Sequence, residues 1–197
     1  DKWQHYYRLA PQITRSGHWH SWAACLHDFV GKGDFSNREA SWLNQALGTA
    51  LRWTGQLEEA QLFLEQALAN SQQTNDAQHG HILAELAVIY RYQGDWSRTR
   101  RYLEEALMIY TRLETEEGIM RCLHDLAQLA IEANNPEQAL LWLSRGSDRW
   151  MPRTWGIASQ AHLLLGDLDA ARQAAEKAAE NLPALHPNQG RILATLG

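Results

Sequence analysis

Apolar side chains recur along most of this chain at intervals of three and four residues. That spacing places them on one side of an α-helix. In one clear stretch, Leu47 and Leu51 come before Gly55, and Leu57 and Leu64 come after it. Because proline is scarce and runs of β-branched residues are absent, the pattern predicts helices joined by short turns and no β-sheet.

The same pattern returns with the same internal offsets. A later copy contains Leu86, Ala87, Tyr90, Gly94, Trp96, Thr99 and Leu103. Another contains Leu126, Ala127, Ala130, Asn134, Pro136, Ala139 and Leu143. Counted from equivalent positions, copies begin near residues 3, 41, 80, 120 and 152, and a truncated copy begins near 190. Self-similarity of this kind predicts a repeat architecture.

Each copy predicts two helices packed against each other. Apolar and small residues form a stripe on the first helix, a Gly or Asn supplies the left-handed residue that ends it, and a second amphipathic helix follows. Two helices cannot bury both stripes alone, so successive copies must stack. We therefore expect an all-α fold and a single array over residues 1–197. Because the chain opens on Asp1 without an initiator methionine, we also expect it to be a piece of a longer protein.

These copies resemble the tetratricopeptide repeat family over nearly the whole chain. Their period of about 40 residues and the motif Tyr-Leu-Glu-Glu-Ala-Leu at 102–107 are similar to the arrays attached to bacterial signal-transduction ATPases and MalT-like regulators. The resemblance implies a right-handed superhelical solenoid of stacked antiparallel helix pairs. It also implies a non-enzymatic module whose concave groove binds a peptide or protein segment, within a larger bacterial signalling or regulatory protein.

In this family the first helix of each copy lines the groove, and ligands meet a fixed set of its positions. The resemblance transfers those positions to a set of groove candidates, which are Trp42, Gln45, Thr49, Arg52, Trp53, His81, Arg91, Tyr92, Arg121, His124 and Gln128. Chaperone-binding members hold a terminal carboxylate with Lys and Asn at two of these positions. Here the two positions are occupied by Gln45 with Thr49, by Ala84 with Val88 and by His124 with Gln128, so that carboxylate clamp is absent.

An Arg–aromatic pair recurs one copy apart, first as Arg52 with Trp53 and then as Arg91 with Tyr92. A guanidinium forms two parallel hydrogen bonds with a carboxylate or phosphate, and the neighbouring ring offers a stacking surface. An acidic or aromatic peptide segment would satisfy both groups. The alternative is that the arginines pair with carboxylates of neighbouring helices while the rings pack between copies.

A second function is open to the same residues. Nine tryptophans are many for this length, and Trp42 and Trp53 fall at groove positions. Together with Tyr92 they would stack on a sugar or an aromatic effector. The chain would then be a small-ligand sensor domain of a transcriptional regulator or ATPase.

The tetrapeptide Cys-Leu-His-Asp occurs twice, at 25–28 and at 122–125, and raises the possibility of a cysteine nucleophile with its base. Residues two apart on a helix point about 160° apart around the axis, so Cys and His of one tetrapeptide cannot form a dyad. We expect both cysteines to be small, partly buried residues. Histidines at positions 18 and 20 and at 79 and 81 have the same spacing and lack acidic or cysteine partners at ligand spacing. We therefore expect no catalytic residue and no metal site.

Charge and composition further limit the classes of partner that this chain is expected to bind. A formal net charge of −5 and a pI near 6.0 give no global attraction for nucleic acid or for acidic membranes. No uncharged apolar run approaches the ~18 residues that a membrane span needs. Two cysteines do not make a disulfide framework, so a reducing, cytoplasmic setting is expected. No phosphate-binding loop is present and no cofactor is expected. The oligomeric state and the identity of the partner stay open.

Overall fold

The computed structural model describes residues 18–31, 33, 35–71, 76–146 and 152–180. Those residues form α-helices joined by turns, and no β-strand occurs among them. The all-α prediction is therefore confirmed. The first helix predicted near residue 3 and the truncated copy near residue 190 lie outside the described residues. None of the helices in the described ranges is both long and apolar enough to cross a membrane.

The chain divides into two compact units, Asp1–Leu113 and Glu114–Gly197. The helices described in the first unit are α1 (Trp19–Val30), α2 (Asn37–Trp53), α3 (Leu57–Ser71), α4 (Ala77–Tyr92) and α5 (Trp96–Arg112). Those described in the second unit are α6 (Glu116–Glu132), α7 (Pro136–Ser144), α8 (Pro152–Leu164) and α9 (Leu168–Glu180). The first helices of the repeats are α2, α4, α6 and α8, and each packs against the second helix that follows it. The predicted helix pairs are therefore confirmed within each unit.

The first helices end at residues in the left-handed backbone conformation. The φ angle is 84° at Gly55, 76° at Gly94 and 78° at Gly166, and Asn134 takes the same role with a φ of 54°. Glycine adopts this conformation without a steric penalty, and asparagine tolerates it better than most residues. The sequence predicted these turns correctly. After Asn134, Pro136 begins α7, where its missing N–H costs no hydrogen bond.

The core of the first unit lies where helices of successive pairs meet. Leu26, Leu47, Leu64 and Leu86 are fully buried in one apolar cluster. Helix α2 contacts α1, α3 and α4, so three neighbours cover its sides. Gly48 lets α2 and α3 approach closely, because a Cβ at this position would lie 2.6 Å from Leu64 Cγ.

The second unit has a core of smaller side chains. Helix α8 packs on α6, α7 and α9. One apolar cluster of this unit consists mostly of alanine and contains Ala127, Ala130, Ala139, Leu143, Ile157, Ala158, Ala161 and Ala174. Alanine has the highest helix propensity and loses no side-chain entropy on burial, so this unit combines close helix packing with stable individual helices.

A hydrogen-bonded tyrosine joins α4 to α3. The Tyr90 hydroxyl donates to Glu65 Oε1 at 2.7 Å and accepts from Gln61 Nε2 at 3.3 Å. The Arg98 guanidinium lies over the Tyr90 ring, 4.6 Å from its centroid. Burial of the hydroxyl and its bond to Glu65 raise the pKa of Tyr90 to about 12. Both effects favour the neutral phenol over the phenolate.

We expect the free energy of unfolding to fall above pH 10 as a result. The pKa of Tyr90 rises from 10.0 to about 12 on folding. This stabilisation is therefore fully present below pH 10 and is lost as the pH rises towards 12. By about pH 11 the loss is about 1.4 kcal/mol, since one pKa unit corresponds to that amount. Urea unfolding of the wild type and of Tyr90→Phe from about pH 8 to about pH 11 measures the effect. The two proteins should differ in their pH dependence, and parallel curves would contradict this prediction.

Candidate functional site

The groove candidates of the first unit lie on one side of each first helix. At about 100° of rotation per residue, one arc of about 100° on α2 contains Trp42, Gln45, Thr49, Arg52 and Trp53. A similar arc on α4 contains His81, Arg91 and Tyr92. We call these eight side chains the first-helix surface. Helices α2 and α4 contact each other, so the two arcs are adjacent.

The Arg52 guanidinium belongs to a buried ion pair between α2 and α4. Its Nε donates to Glu85 Oε2 at 2.7 Å, and the side chains are 11% and 3% exposed. His81 stands one turn before Glu85, with its Nε2 3.8 Å from Glu85 Oε1. A charge-assisted hydrogen bond of this length is strong, so the guanidinium stays bound to Glu85. Of the two alternatives for Arg52, the structure supports pairing with a neighbouring helix.

Glu85 itself is absent from the sequence-predicted site. It interrupts an otherwise apolar run from Ile82 to Ala87 on α4. A carboxylate in the middle of a buried stretch must find a cationic partner or become neutral, because its desolvation is costly. That interruption is the signal that could have identified Glu85 from the sequence, although it would not have identified Arg52 as the partner.

Both Arg–aromatic pairs make contacts within their own helix. Arg52 Cζ lies 4.7 Å from the centroid of the Trp53 ring, and Arg91 Cζ lies 5.7 Å from that of Tyr92. The Trp53 ring also stacks on Trp19 of α1, with 5.5 Å between centroids and 11° between planes. Trp53 is still 53% exposed, and Tyr92 is 65% exposed. Trp53 therefore packs between copies. One face of its ring is occupied by Trp19 and cannot stack on a small ligand, as the sensor hypothesis requires. The Tyr92 ring is exposed to solvent.

Helix α2 also contains buried polar oxygens that lack a hydrogen bond. Gln45 Oε1, Thr49 Oγ1 and Asn44 Oδ1 have no partner among the described residues. The Asn44 amide does donate to Gln66 Oε1, at 3.5 Å. An unsatisfied buried polar atom costs roughly 1–3 kcal/mol, so such atoms are rare and are informative when they cluster. Gln45 and Thr49 lie on the first-helix surface, whereas Asn44 faces α3.

The second unit brings together a smaller set of candidates. Arg121, His124 and Gln128 lie within an arc of about 60° on α6. All three are half-buried. Gln128 Nε2 donates to Glu132 Oε1 at 3.2 Å, within the same helix. The candidates thus form one polar set in each unit.

The two Cys-Leu-His-Asp tetrapeptides lie in different environments. Leu26 and Leu123 are core residues, as the pattern predicted. Cys25 is exposed and Cys122 is fully buried, so the prediction of two partly buried thiols was wrong. Cys122 lies on the side of α6 that also buries Leu129, whereas Cys25 lies on the outer side of α1.

We expect thiol reagents to distinguish the two cysteines. Burial raises the pKa of Cys122 to about 12, and the charge of Asp125 adds to the shift. Almost no Cys122 thiolate is therefore present near neutral pH. Iodoacetamide followed by peptide mass spectrometry should label Cys25 in the native protein and should label Cys122 only after denaturant is added. Rapid labelling of Cys122 in native Cys25→Ser protein would show that its environment differs from this one.

The histidines at 79 and 81 have separate roles. His79 is buried, and its Nδ1 lies 2.9 Å from Ser71 Oγ. Ser71 Oγ also lies 2.9 Å from the Leu68 carbonyl oxygen, so the serine and the histidine form part of the hydrogen bonding at the end of α3. Within the described ranges, no group of three or more His, Cys, Asp or Glu side chains is placed to hold a metal ion.

Comparison with protein families gives matches over most of the chain. Models described as tetratricopeptide repeat match residues 45–81, 80–151 and 152–181. The matches follow one another without a gap from α2 to the end of α9. No curated protein matches the sequence.

Solved structures with the same fold share little sequence identity with this chain. BtubC (BKLC) from P. vanneervenii is 17% identical, with a TM-score of 0.74 over 93% of this chain and 83% of its own. The apo form of the quorum sensor NprR from B. thuringiensis is 12% identical, with a TM-score of 0.81 over 99% of this chain and 57% of its own. NprR in complex with its cognate peptide NprX is 11% identical, with a TM-score of 0.75 over 99% of this chain and 58% of its own. These likenesses show the fold.

Proposed function

Since this chain belongs to the tetratricopeptide repeat family, we propose that it is a non-enzymatic interaction module that binds a peptide or protein segment. In this proposal the binding site is a concave groove formed by the first helices. In the first unit the first-helix surface contacts the partner, and in the second unit the candidate contacts are Arg121, His124 and Gln128. We further propose that residues 1–197 form a single array, located in the cytoplasm, within a larger bacterial signalling or regulatory protein.

The unsatisfied oxygens of α2 carry this proposal. Gln45 Oε1 and Thr49 Oγ1 are buried without a hydrogen-bond partner among the described residues, on the face where the family binds its ligands. An extended peptide presents a regular series of main-chain N–H and C=O groups. Binding would then supply the hydrogen bonds that the fold leaves unmade, which is a favourable exchange.

Charge on this surface defines the kind of segment that fits. The Arg52 charge is neutralised by Glu85, so α2 recognises a partner through uncharged polar groups. One repeat later, Arg91 lies beside the exposed Tyr92 ring. An aromatic side chain of the bound segment would stack on the exposed Tyr92 ring. As the recurring Arg–aromatic pairs of the sequence favour, we propose a partner segment with acidic or aromatic side chains.

Peptide binding by a related structure supports the same conclusion. NprR, whose fold matches 99% of this chain over 58% of its own length, has been solved in complex with its cognate peptide NprX. A protein that contains this fold therefore binds a peptide. Which peptide fits this chain depends on its own side chains, because the identity to NprR is only 11%.

A phage-displayed library of random peptides tests the proposal. Peptides selected on the wild type are measured against Thr49→Arg/Val88→Arg, which places two long cations on half-buried positions of α2 and α4. The matched control is Leu62→Arg/Met108→Arg, which makes the same charge change at exposed positions of α3 and α5. Urea unfolding confirms that both variants fold.

We expect the selected peptides to bind the wild type and the control and to lose at least about tenfold in affinity for the α2/α4 variant. Peptides that bind all three proteins equally would place the site elsewhere. Failure to select any peptide that the wild type binds would also count against the proposal.

A further inference from the structure

The first two turns of α5 have an unusual set of exposed side chains. Between positions 96 and 101 these are Trp96, Ser97, Arg98, Arg100 and Arg101. The stretch contains three arginines and no carboxylate, for a net charge of +3. The first turns of the other second helices in the repeats that follow α1 contain acidic residues, which are Glu58 and Glu59 on α3, Glu137 on α7 and Asp169 on α9. The sign of the charge is therefore reversed in one repeat.

This placement of arginines is unfavourable for the helix itself. The N-terminal end of a helix has a partial positive charge, which repels cations in the first turns. Asp95 offsets part of the repulsion, because its carboxylate accepts from the Arg98 backbone N–H at 2.9 Å and from Arg98 Nε at 2.6 Å. The backbone bond from Arg98, followed by the charges of Arg98 and Arg101, lowers the pKa of Asp95. One carboxylate cannot neutralise three guanidinium groups.

Within the described part of the chain, Arg100 has no anionic partner, and Arg101 acts on the Asp95 carboxylate through its charge without forming an ion pair with it. Neither side chain forms an ion pair or a hydrogen bond there. Arg101 lies over the Tyr102 ring, with its Cζ 4.9 Å from the centroid, which leaves its N–H groups available. Glu104 and Glu105 follow one turn later and form no ion pair with either arginine. A residue pattern that weakens a helix without a compensating contact in the fold indicates a functional constraint.

An exposed tryptophan lies beside these arginines. Trp96 is 49% exposed and stands four residues before Arg100, so the two side chains share one side of α5. Tryptophan and arginine are enriched at the centres of protein interfaces, where they contribute much of the binding energy. An exposed indole next to unpaired guanidinium groups therefore has the composition of a binding surface.

We propose that Trp96, Arg100 and Arg101 form a second interaction surface, separate from the first-helix surface, that binds an acidic polypeptide segment. Carboxylates of the segment pair with the two guanidinium groups, and an apolar side chain of the segment packs on the indole. A nucleic acid is disfavoured because the net charge of the chain is −5, which repels a long phosphate backbone. A short acidic segment responds mainly to charges within about 10 Å, the Debye length at about 0.1 M salt, and hence to the guanidinium groups that it contacts directly.

Fluorescence anisotropy with a labelled peptide tests this surface. The probe is a peptide of about twelve residues, rich in Glu and Asp with a central Leu, and its control has Gln and Asn at the acidic positions. We expect the wild type to bind the acidic peptide at least about tenfold more tightly than the amide peptide, and more weakly as salt is added. Arg100→Glu/Arg101→Glu should reduce that affinity at least about tenfold. Arg38→Glu/Arg172→Glu, which makes the same charge change at exposed positions of α2 and α9, should retain it.

Three results would overturn the proposal. The first is equal affinity of the acidic peptide for both double variants. The second is no binding of the acidic peptide at low salt. The third is binding of single-stranded DNA of similar length, lost in Arg100→Glu/Arg101→Glu, without binding of the peptide. The α2/α4 variant Thr49→Arg/Val88→Arg should still bind the acidic peptide, so a failure here is distinguishable from a failure of the groove proposal.

Discussion

Replacing Glu85 with alanine is expected to lower the free energy of unfolding of the first unit by about 3–5 kcal/mol. The substitution leaves the Arg52 guanidinium in a site where it is only 11% exposed, without the carboxylate that lies 2.7 Å from it. A buried charge that loses its partner keeps its desolvation penalty and loses the attraction that offset it. Urea unfolding followed by circular dichroism measures the change.

Two further variants separate this effect from a simple loss of packing. Arg52→Met/Glu85→Leu removes both charges and should be much more stable than Glu85→Ala, because no unpaired charge is left behind. Arg172→Ala breaks an exposed pair with Glu176, whose atoms are 3.8 Å apart, and should cost less than about 1 kcal/mol. If Glu85→Ala lowered the free energy of unfolding no more than Arg172→Ala does, the prediction would be wrong, because the Arg52 guanidinium would then be exposed to water in solution.

The second large effect is expected at the close contact between α2 and α3. Leu64 is fully buried, and Leu64→Ala should cost about 3–5 kcal/mol, the usual range for a leucine that leaves a cavity. Leu62→Ala on the same helix is the control, because Leu62 is exposed and its loss should change stability by less than about 0.5 kcal/mol. Urea unfolding of both variants makes the comparison.

Gly48 provides an internal check on the same contact. Alanine is favoured over glycine in a helix by about 1 kcal/mol. At position 48, however, the new Cβ would lie 2.6 Å from Leu64 Cγ and 3.0 Å from the Ala60 carbonyl oxygen. Gly48→Ala should therefore destabilise the wild type by about 1–3 kcal/mol and should be much less harmful in Leu64→Ala protein, where Cγ is gone. Additive costs in the double mutant would mean that the two positions are not in contact.

The buried ion pair and the proposed binding surface are connected through the same helices. Arg52 and Glu85 join α2 to α4, and Gln45 and Thr49 project from α2 within the same arc as Arg52. A contact that holds two helices in one arrangement reduces the ordering cost when a partner binds across them. In the proposed complex, the ion pair positions the two helices that contact the partner.

Much of the fold follows from local properties of the sequence. The three- and four-residue spacing of apolar positions predicts the helices, because a helix side can be buried only if its residues recur with that period. Gly55, Gly94 and Asn134 predict the turns, because few other residues adopt a positive φ without strain. The repeat offsets then indicate which side chains share a face. All three inferences need only a residue and its near neighbours along the chain.

The tertiary structure alone decided which charged groups pair and which thiols are buried. The partner of Arg52 is Glu85, 33 residues away along the chain. Cys25 and Cys122 lie in identical tetrapeptides, yet one thiol is exposed and the other is buried. Pairing and burial depend on the side chains that a neighbouring helix supplies, and those side chains differ from repeat to repeat. The repeat pattern therefore determined the architecture, and only the packing of helices determined the chemistry of each surface.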